Sequence, residues 1–339
     1  MTAPMNTAIT LKQRPNGEVR DEDFEIKQSP VRELQDGEFL IENKYLSLDP
    51  YMRPRLNDMQ GYMDPVEIGA VIVGEAVGEV VASKTDAYKV GDVVTAYTGW
   101  QTHYIAKADE PMIYKVDAKG LALSVFLGAA GMPGRTGYFG LTEVGKPQAG
   151  ETIVVSAASG AVGSLVGQVA KSMGLRVVGV AGGNEKCSYV TEELGFDACV
   201  DYKAGNLDAD LAAACPNGID IYFENVGGAV TRAVAKLLNK GSRVPVCGYV
   251  SAYNAEDMAA VETPFHVFGA LEEPPEHRFF LVTEWQEQHG EATALLANKI
   301  KNGELKYRES VAEGIDNAVE AFRGMLKGKN FGKQVVKLG

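Results

Sequence analysis

Hydrophobic and polar positions follow two different patterns along this chain, and the pattern changes near its middle. Up to about residue 130, β-type apolar runs at 38–43, 70–82 and 93–97 are separated by turns rich in Gly, Pro and Asp. From residue 151 onward, short apolar runs alternate with amphipathic segments of helical period. The first region therefore predicts a β-rich fold, and the second predicts a parallel, doubly wound α/β sheet.

The predicted elements of the second region continue to the end of the chain. Strands are expected at 176–180, 197–201, 219–225, 242–249 and 278–283, and helices at 229–239 and 284–301. A last helix at 315–327 and a strand at 333–337 are too short to form a domain of their own, so we expect this tail to return to the first region. Glycines inside the run 70–82 indicate a bulge or a sharp bend.

The first strand-to-helix turn of the second region, within 151–173, resembles a dinucleotide-binding turn. Residues 158–163 read Ala-Ser-Gly-Ala-Val-Gly, which fits the Gly-x-Gly-x-x-Gly pattern with alanine in the first position. Gly160 would let the main chain approach a pyrophosphate, and Gly163 would let the helix pack closely on the strand. An apolar stripe facing the sheet is then predicted at Val162, Leu165, Val166, Val169, Ala170 and Met173. Because any strand-to-helix turn can use glycines, the pattern needs support from its surroundings.

The end of the next strand provides that support and indicates which dinucleotide is bound. After 176–180 the chain reads Ala-Gly-Gly-Asn, so no carboxylate stands where an NAD site would place one for the ribose 2′-hydroxyl. Lys186 follows, with Glu185 just before it. A missing acid and a nearby cation favour NADP(H), although Lys186 taken alone also fits a solvated helix lysine.

Composition sets the class of protein. The chain has 339 residues, 45% hydrophobic and 23% charged, which predicts two globular domains. A net charge of −12 argues against binding to nucleic acid or to an anionic membrane surface. The sequence contains no signal-peptide pattern and no window of transmembrane length, so a cytoplasmic protein is expected. Cysteines 187, 199, 215 and 247 show no C-x-x-C spacing and are expected to be buried free thiols.

Several motifs in order resemble those of one enzyme family. They lie at 45–53, 131–140, 157–163, 222–228, 247–254 and 330–333. The chain is similar over nearly its whole length to the zinc-free medium-chain dehydrogenases/reductases. Within them it resembles the prostaglandin reductase and leukotriene B4 dehydrogenase branch, which includes bacterial NADPH-dependent curcumin reductases. The resemblance implies a Rossmann sheet, with residues 131–302 as the NADP-binding domain, inserted in a GroES-like β-barrel catalytic domain of residues 1–130 and 303–339. It also implies a homodimer.

The resemblance assigns roles to single residues. Lys186 and Tyr202 match contacts to the adenosine 2′-phosphate. Further cofactor contacts are implied for Gly160, Ala161, Val162, Gly163, Asn225, Cys247, Gly248, Tyr249, Phe280, Leu281, Val282, Asn330, Met132 and Thr136. Asn225 also fits a turn residue, and Met132 and Phe280 also fit core residues.

A catalytic or structural zinc site is not expected. Zinc needs three or four Cys, His or carboxylate ligands, yet residues 1–130 contain no cysteine and only one histidine, His103. Without a Lewis acid for alcohol oxidation, reduction of a conjugated C=C bond is the expected reaction. Hydride would add to the β-carbon of an enone or enal, and negative charge would develop on the carbonyl oxygen before protonation. The resemblance points to Tyr253 as the donor to this enolate, while a cofactor-packing tyrosine is the alternative.

Substrate specificity is less defined by the sequence. Tyr51, Tyr62 and Arg53 are candidates for the substrate pocket, because aromatic rings suit a flat enone such as a curcuminoid. The segment 255–278 carries six acids and departs from the basic-ended loop expected in this branch. An NADPH quinone reductase and a cofactor-binding protein without useful turnover remain as alternatives.

Overall fold

The structure is a computed structural model that describes residues 3–58, 63–257 and 260–339. It divides into two compact units, unit 1 with Met1–Gly128 and Glu309–Gly339, and unit 2 with Ala129–Arg308. The division of the chain into catalytic and cofactor domains at residues 130 and 303 stays a prediction.

The strands, in chain order, are β1 (Met5–Leu11), β2 (Phe24–Pro30), β3 (Glu38–Ser47), β4 (Ala76–Ser83), β5 (Val93–Ala96), β6 (His103–Lys107), β7 (Tyr114–Lys115), β8 (Thr152–Ser156), β9 (Arg176–Ala181), β10 (Ala198–Asp201), β11 (Ile219–Phe223), β12 (Leu238–Val246), β13 (Glu276–Phe279), β14 (Glu309–Glu313) and β15 (Lys333–Lys337). The α-helices are α1 (Met132–Phe139), α2 (Gly163–Ser172), α3 (Asn184–Ser188), α4 (Leu207–Ala214), α5 (Gly228–Ala235), α6 (Pro264–Gly269), α7 (His289–Lys301) and α8 (Ala318–Leu326).

Unit 1 is built mainly from antiparallel strands. β1 pairs with β2, and a larger sheet has the order β14-β15-β3-β4-β5-β7, with β6 also paired to β3. Within this larger sheet β14 and β15 are parallel, and the other pairs are antiparallel. β15 pairs with β3 through Val335 and Ser47, so the C-terminal segment returns to unit 1 as the sequence predicted. Its core includes Trp100, whose ring lies edge-on to Phe322 of α8 at 5.4 Å between centroids.

The predicted strand at 70–82 is shorter than expected. β4 begins only at Ala76, because the preceding residues bond elsewhere: the Ile72 amide donates to the Ile9 carbonyl at 2.9 Å, and the Ile72 carbonyl accepts the Trp100 amide at 2.8 Å. A Cβ on Gly74 would lie 3.0–3.2 Å from Trp100, Met52 and Leu46, so the backbone itself fills that space. The expected irregularity is present: β3 and β4 change register twice, and a Cβ on Gly78 would lie 2.5 Å from the carbonyl oxygen of Glu42.

Unit 2 has a Rossmann-type sheet. Its strands are all parallel in the order β10-β9-β8-β11-β12-β13, which is the 3-2-1-4-5-6 order of a dinucleotide-binding fold. Val154, Val178 and Val244, of β8, β9 and β12, are fully buried, as expected for a parallel sheet covered on both faces. The sheet therefore confirms the fold class predicted from the alternating pattern.

Two predicted helices of unit 2 have the wrong limits. The helix at 229–239 ends at Ala235, and β12 already begins at Leu238. The helix at 284–301 is replaced by a 3₁₀ segment, Val282–Gln288, followed by α7. The chain bends at Trp285, whose non-helical backbone lets the indole stack on Phe139 at 5.3 Å between centroids. Packing of one aromatic ring thus overrides the helical period of the sequence.

Candidate functional site

The turn after β8 has the tight geometry that a dinucleotide turn requires. Ala157 adopts a left-handed backbone, with φ of +50°, and its carbonyl accepts the Gly160 amide at 2.8 Å. A Cβ on Gly163 would lie 2.4 Å from that same carbonyl oxygen. Gly163 is therefore required by close packing, as predicted, while the left-handed position is occupied by an alanine.

Helix α2, which follows this turn, buries most of its predicted stripe. Leu165, Val166, Val169 and Ala170 are buried. The prediction for Met173 is wrong, since the helix ends at Ser172 and Met173 is exposed. The stripe therefore holds for the body of the helix and fails beyond its last turn.

At the carboxyl end of β9, side chains from two further elements come together. Gly182 follows the strand, and a Cβ placed on it would lie 2.8–2.9 Å from side-chain atoms of Tyr202 and Lys203. Lys186 of α3 is half-buried, and its pKa is lowered by burial and then by the charge of Lys203, against the opposing charge of Glu185. The structure thus gathers the predicted Lys186 and Tyr202 with Lys203, a residue that the sequence analysis missed.

Asp201 holds this loop in place through backbone hydrogen bonds. Its Oδ1 accepts the amide of Gly183 at 2.8 Å and that of Lys203 at 2.9 Å. These bonds, together with the charge of Lys203, lower the pKa of Asp201. The carboxylate therefore joins the end of β9 to the segment that carries Tyr202 and Lys203.

The end of β11 carries a buried carboxylate, Glu224, that the sequence analysis also passed over. It accepts the Tyr222 hydroxyl and the Val226 amide, each at 2.8 Å, and the Gly227 amide at 3.0 Å. The Thr231 hydroxyl donates to its other oxygen. Burial raises the pKa of Glu224, and these hydrogen bonds oppose the rise. An acid at the end of an apolar strand was the available sequence signal.

Main-chain groups connect this carboxylate residue to its neighbours. The carbonyl of Glu224 accepts the amides of Cys247 at 2.9 Å and Gly248 at 3.2 Å. Asn225 donates its amide to the Ser156 hydroxyl and its side-chain nitrogen to the Ser156 carbonyl, each at 2.8 Å. Asn225 therefore ties β8 to β11, which fits the turn-residue interpretation, and its cofactor contact stays a prediction.

The segment after β12 holds the predicted catalytic tyrosine. Val250 donates to the Asn225 carbonyl at 3.2 Å, and a 3₁₀ turn, Val250–Ala252, leads into Tyr253. The Tyr253 hydroxyl lies 2.8 Å from where a Cβ on Gly248 would be, and its ring meets that of Tyr249 edge-on at 5.7 Å between centroids. Gly248 thus leaves room for the phenol, while burial and the charge of Glu224 raise the pKa of Cys247 to about 12.

Among the other predicted cofactor residues of unit 2, one packs in the core and two form local hydrogen bonds. Phe280 is buried, edge-on to Phe223 at 6.1 Å between ring centroids, so its side chain is a core residue. The Leu281 amide donates to Glu284 at 2.8 Å, and the Thr136 hydroxyl donates to the Met132 carbonyl at 2.8 Å. Val282 begins the 3₁₀ segment that follows.

Predicted site residues of unit 1 are held by local contacts. The Arg53 guanidinium is fully buried and donates to the Gly17 carbonyl at 2.6 Å and to Asn57 at 2.7 Å. This placement supports the loop, and a substrate contact stays a prediction. Asn330 donates to the Gly332 carbonyl at 2.8 Å. Tyr62 lies outside the described residues.

The hydroxyl of Tyr51 is buried and has no hydrogen-bond partner within the described residues. Burial raises the pKa of this phenol well above its ordinary value, as do the charges of Asp49 and Glu75. Lys333 fixes the preceding turn by donating to the Leu48 carbonyl at 2.6 Å and to Asp49 at 2.9 Å. Tyr51 is therefore a neutral donor on a rigid turn.

Residues 3–58, 63–257 and 260–339 contain neither a cluster of metal-ligand side chains nor a membrane-spanning helix. In these ranges no group of three or more His, Cys, Asp and Glu side chains could hold a metal ion. No helix in the same ranges is long and apolar enough to cross a membrane.

The strand order and the glycine turn of unit 2 define a dinucleotide-binding fold of the Rossmann type. Family models match at residues 7–114, described as the N-terminal domain of oxidoreductase, and at 161–271, described as zinc-binding dehydrogenase. The NADPH-dependent curcumin reductase of Escherichia coli (strain K12) is 43% identical, covering 98% of this chain and 97% of that protein. Prostaglandin reductase 1 of Bos taurus is 39% identical, covering 97% of this chain and 98% of that protein.

A solved structure agrees with these sequence matches. CurA from Vibrio vulnificus in complex with NADPH superimposes with a TM-score of 0.92 at 43% identity, covering 98% of this chain and 99% of that one. The chain therefore belongs to the medium-chain dehydrogenase/reductase family, in the branch of the curcumin and prostaglandin reductases.

Proposed function

We propose that this protein reduces the C=C bond of α,β-unsaturated ketones and aldehydes, including curcumin-like enones, with NADPH. The observation that carries the proposal is the near full-length similarity, at 43% identity, to an NADPH-dependent curcumin reductase. The NADPH-bound neighbour of the same identity supports the cofactor. A homodimer and a cytoplasmic location stay predictions.

The residues of unit 2 provide hydrogen-bond donors and a cation that suit the phosphate groups of NADPH. Gly160–Gly163 would face the pyrophosphate, since amides at a helix N-terminus bind anions. The ammonium group of Lys186 and the phenol of Tyr202 would contact the 2′-phosphate. Gly182 has no side chain here, because a Cβ would lie too close to Tyr202. The resemblance assigns the remaining contacts of unit 2 to Met132, Thr136, Asn225, Cys247–Tyr249 and Phe280–Val282, and a further contact to Asn330 of unit 1. When bound, NADPH supplies a hydride.

Tyr253 is the residue that would stabilise developing charge. Addition of hydride to the β-carbon moves an electron pair onto the carbonyl oxygen, and a phenol donates a hydrogen bond to that oxygen most strongly when it is negative. The backbone bonds from Glu224 to Cys247 and Gly248 hold the segment on which this phenol is carried. Protonation of the α-carbon then completes the saturated product.

Tyr51 and Tyr62 are the candidates for shaping the substrate pocket, with Arg53 acting through the loop it supports. Tyr51 has structural support for this role, because its buried hydroxyl is a neutral donor without a hydrogen-bond partner within the described residues. A flat conjugated or phenolic substrate would satisfy both its ring and its hydroxyl. A curcumin-like enone has both of these features.

Product analysis with a tyrosine variant tests the function. Purified protein is given NADPH with a panel of enals, enones, curcuminoids and quinones, and products are identified by mass spectrometry. We expect saturated carbonyl products, and Tyr253→Phe should lower turnover roughly ten- to a thousandfold. Tyr114→Phe, on the edge strand β7 of unit 1, is the matched control and should turn over normally. Hydroquinones as the sole products would establish a quinone reductase instead, and normal turnover by Tyr253→Phe would remove this residue from the mechanism.

A further inference from the structure

Gly182 is a glycine because of the space around it and not because of its backbone. Its φ is not among the positive values found in this chain, so its conformation is open to any residue. A Cβ at this position would instead lie 2.8 Å from Cε1 of Tyr202, 2.9 Å from its hydroxyl and 2.9 Å from Cε of Lys203. These two side chains occupy the place where an NAD site presents its acid.

Lys203 adds a positive charge beside Gly182 and Tyr202. Its ammonium is 5.8 Å from the centre of the Tyr202 ring, and its charge lowers the pKa of Lys186. Glu185, the acid next to Lys186, has an oxygen 4.0 Å from the guanidinium of Arg308. Asp201 accepts two backbone amides of the loop. Like charges repel, so a bound anion stabilises the charged forms of both ammonium groups.

We propose that Lys203 is a second cation of the 2′-phosphate site and that the missing side chain of Gly182 keeps it there. This inference rests on the proposed use of NADPH and adds the residues that set its preference over NADH. A phosphate monoester carries close to two negative charges at neutral pH and accepts hydrogen bonds from both ammonium groups and the phenol. The 2′-hydroxyl of NADH is uncharged, so it offers neither ammonium group a charge-assisted hydrogen bond.

Binding without turnover tests the inference. Isothermal titration calorimetry measures dissociation constants for NADPH, NADH, adenosine 2′,5′-bisphosphate and AMP in the full-length protein. We expect Lys203→Gln to weaken NADPH and the bisphosphate about tenfold, the loss typical of one charge-assisted hydrogen bond, and to leave NADH and AMP unchanged. Lys203→Arg should restore most of the affinity. Lys240→Gln, an exposed lysine paired with Glu273 elsewhere on unit 2, is the matched control and should bind as the wild type does.

A second substitution tests the role of the missing side chain at Gly182. Gly182→Asp introduces a carboxylate and displaces Tyr202 and Lys203, so NADPH should weaken at least tenfold while NADH does not. If Lys203→Gln binds the bisphosphate as tightly as the wild type, the role of Lys203 is wrong even though NADPH use stands. If the wild type binds NADH as well as NADPH, the cofactor of the proposed function is itself wrong. Lys203 is exposed, so its variants fold whether or not Gly182→Asp does.

Discussion

A substitution of Gly163 by alanine separates two opposing effects at the dinucleotide turn. Alanine is the better helix former, and Gly163 is the first residue of α2, so propensity alone favours the change by up to about 1 kcal/mol. The new Cβ, however, would lie 2.4 Å from the carbonyl oxygen of Ala157 and 3.1 Å from Cα of Ala158. Both distances are below the ~3.5 Å at which non-bonded heavy atoms attract each other.

The steric effect should exceed the propensity effect. The atoms in the way belong to the backbone between β8 and α2, which cannot rotate aside as a side chain does. Overpacking of this kind costs about 1–3 kcal/mol, and rigid neighbours place it at the upper end. After the propensity gain, we expect unit 2 to lose about 2 kcal/mol, or about 4–8 °C in melting temperature for a unit of this size.

Thermal unfolding followed by circular dichroism measures this loss. Gly290→Ala is the matched control, because Gly290 lies in the first turn of α7, and among the described residues outside the local helix backbone no atom lies within 4 Å of its Cβ position. Its melting temperature should rise by up to about 4 °C, since only propensity acts there. If Gly163→Ala melts at or above the wild type, the backbone of the turn accommodates the new Cβ, and the steric effect is not larger than the propensity effect.

Two further predictions concern ion pairs. Arg32 holds the pKa of Glu38 at about 2, below its ordinary value, so this carboxylate stabilises the fold above its unfolded pKa and loses that contribution as pH falls toward 2. Between pH 6 and pH 3 the melting temperature of Glu38→Gln should fall less steeply than that of the wild type. An equal fall in the two proteins contradicts the role of this ion pair. Arg243 forms a two-point contact with Glu151 at 2.8 and 2.6 Å, so Arg243→Lys should cost about 1–2 kcal/mol in melting experiments. Arg232→Lys, whose pair is exposed, should change little, and equal melting of the two variants would refute the claim.

Local patterns predicted much of the architecture. The apolar runs located β9, β10 and β11 to within a few residues, and the glycine turn located the start of α2. These features depend on the period of side chains along a few residues and on the space a close turn allows. Both can be read without knowing which strands are neighbours.

Other predictions failed where distant packing decided the outcome. The helix expected at 284–301 breaks at Trp285 because its ring stacks on Phe139, far earlier in the chain. The strand expected at 70–82 begins late because Ile72 forms its backbone hydrogen bonds with Ile9 and Trp100. No window of sequence contains either set of partners.

The sequence by itself determined the order of elements, the dinucleotide turn and the absence of an acid at Gly182, because each is a property of neighbouring residues. The tertiary structure decided what surrounds that glycine. β9 and β10 are paired side by side, which brings Lys203 and Tyr202 from the end of one strand over the end of the other. Strand pairing sets such distances, and it is a long-range result of burying the whole sheet.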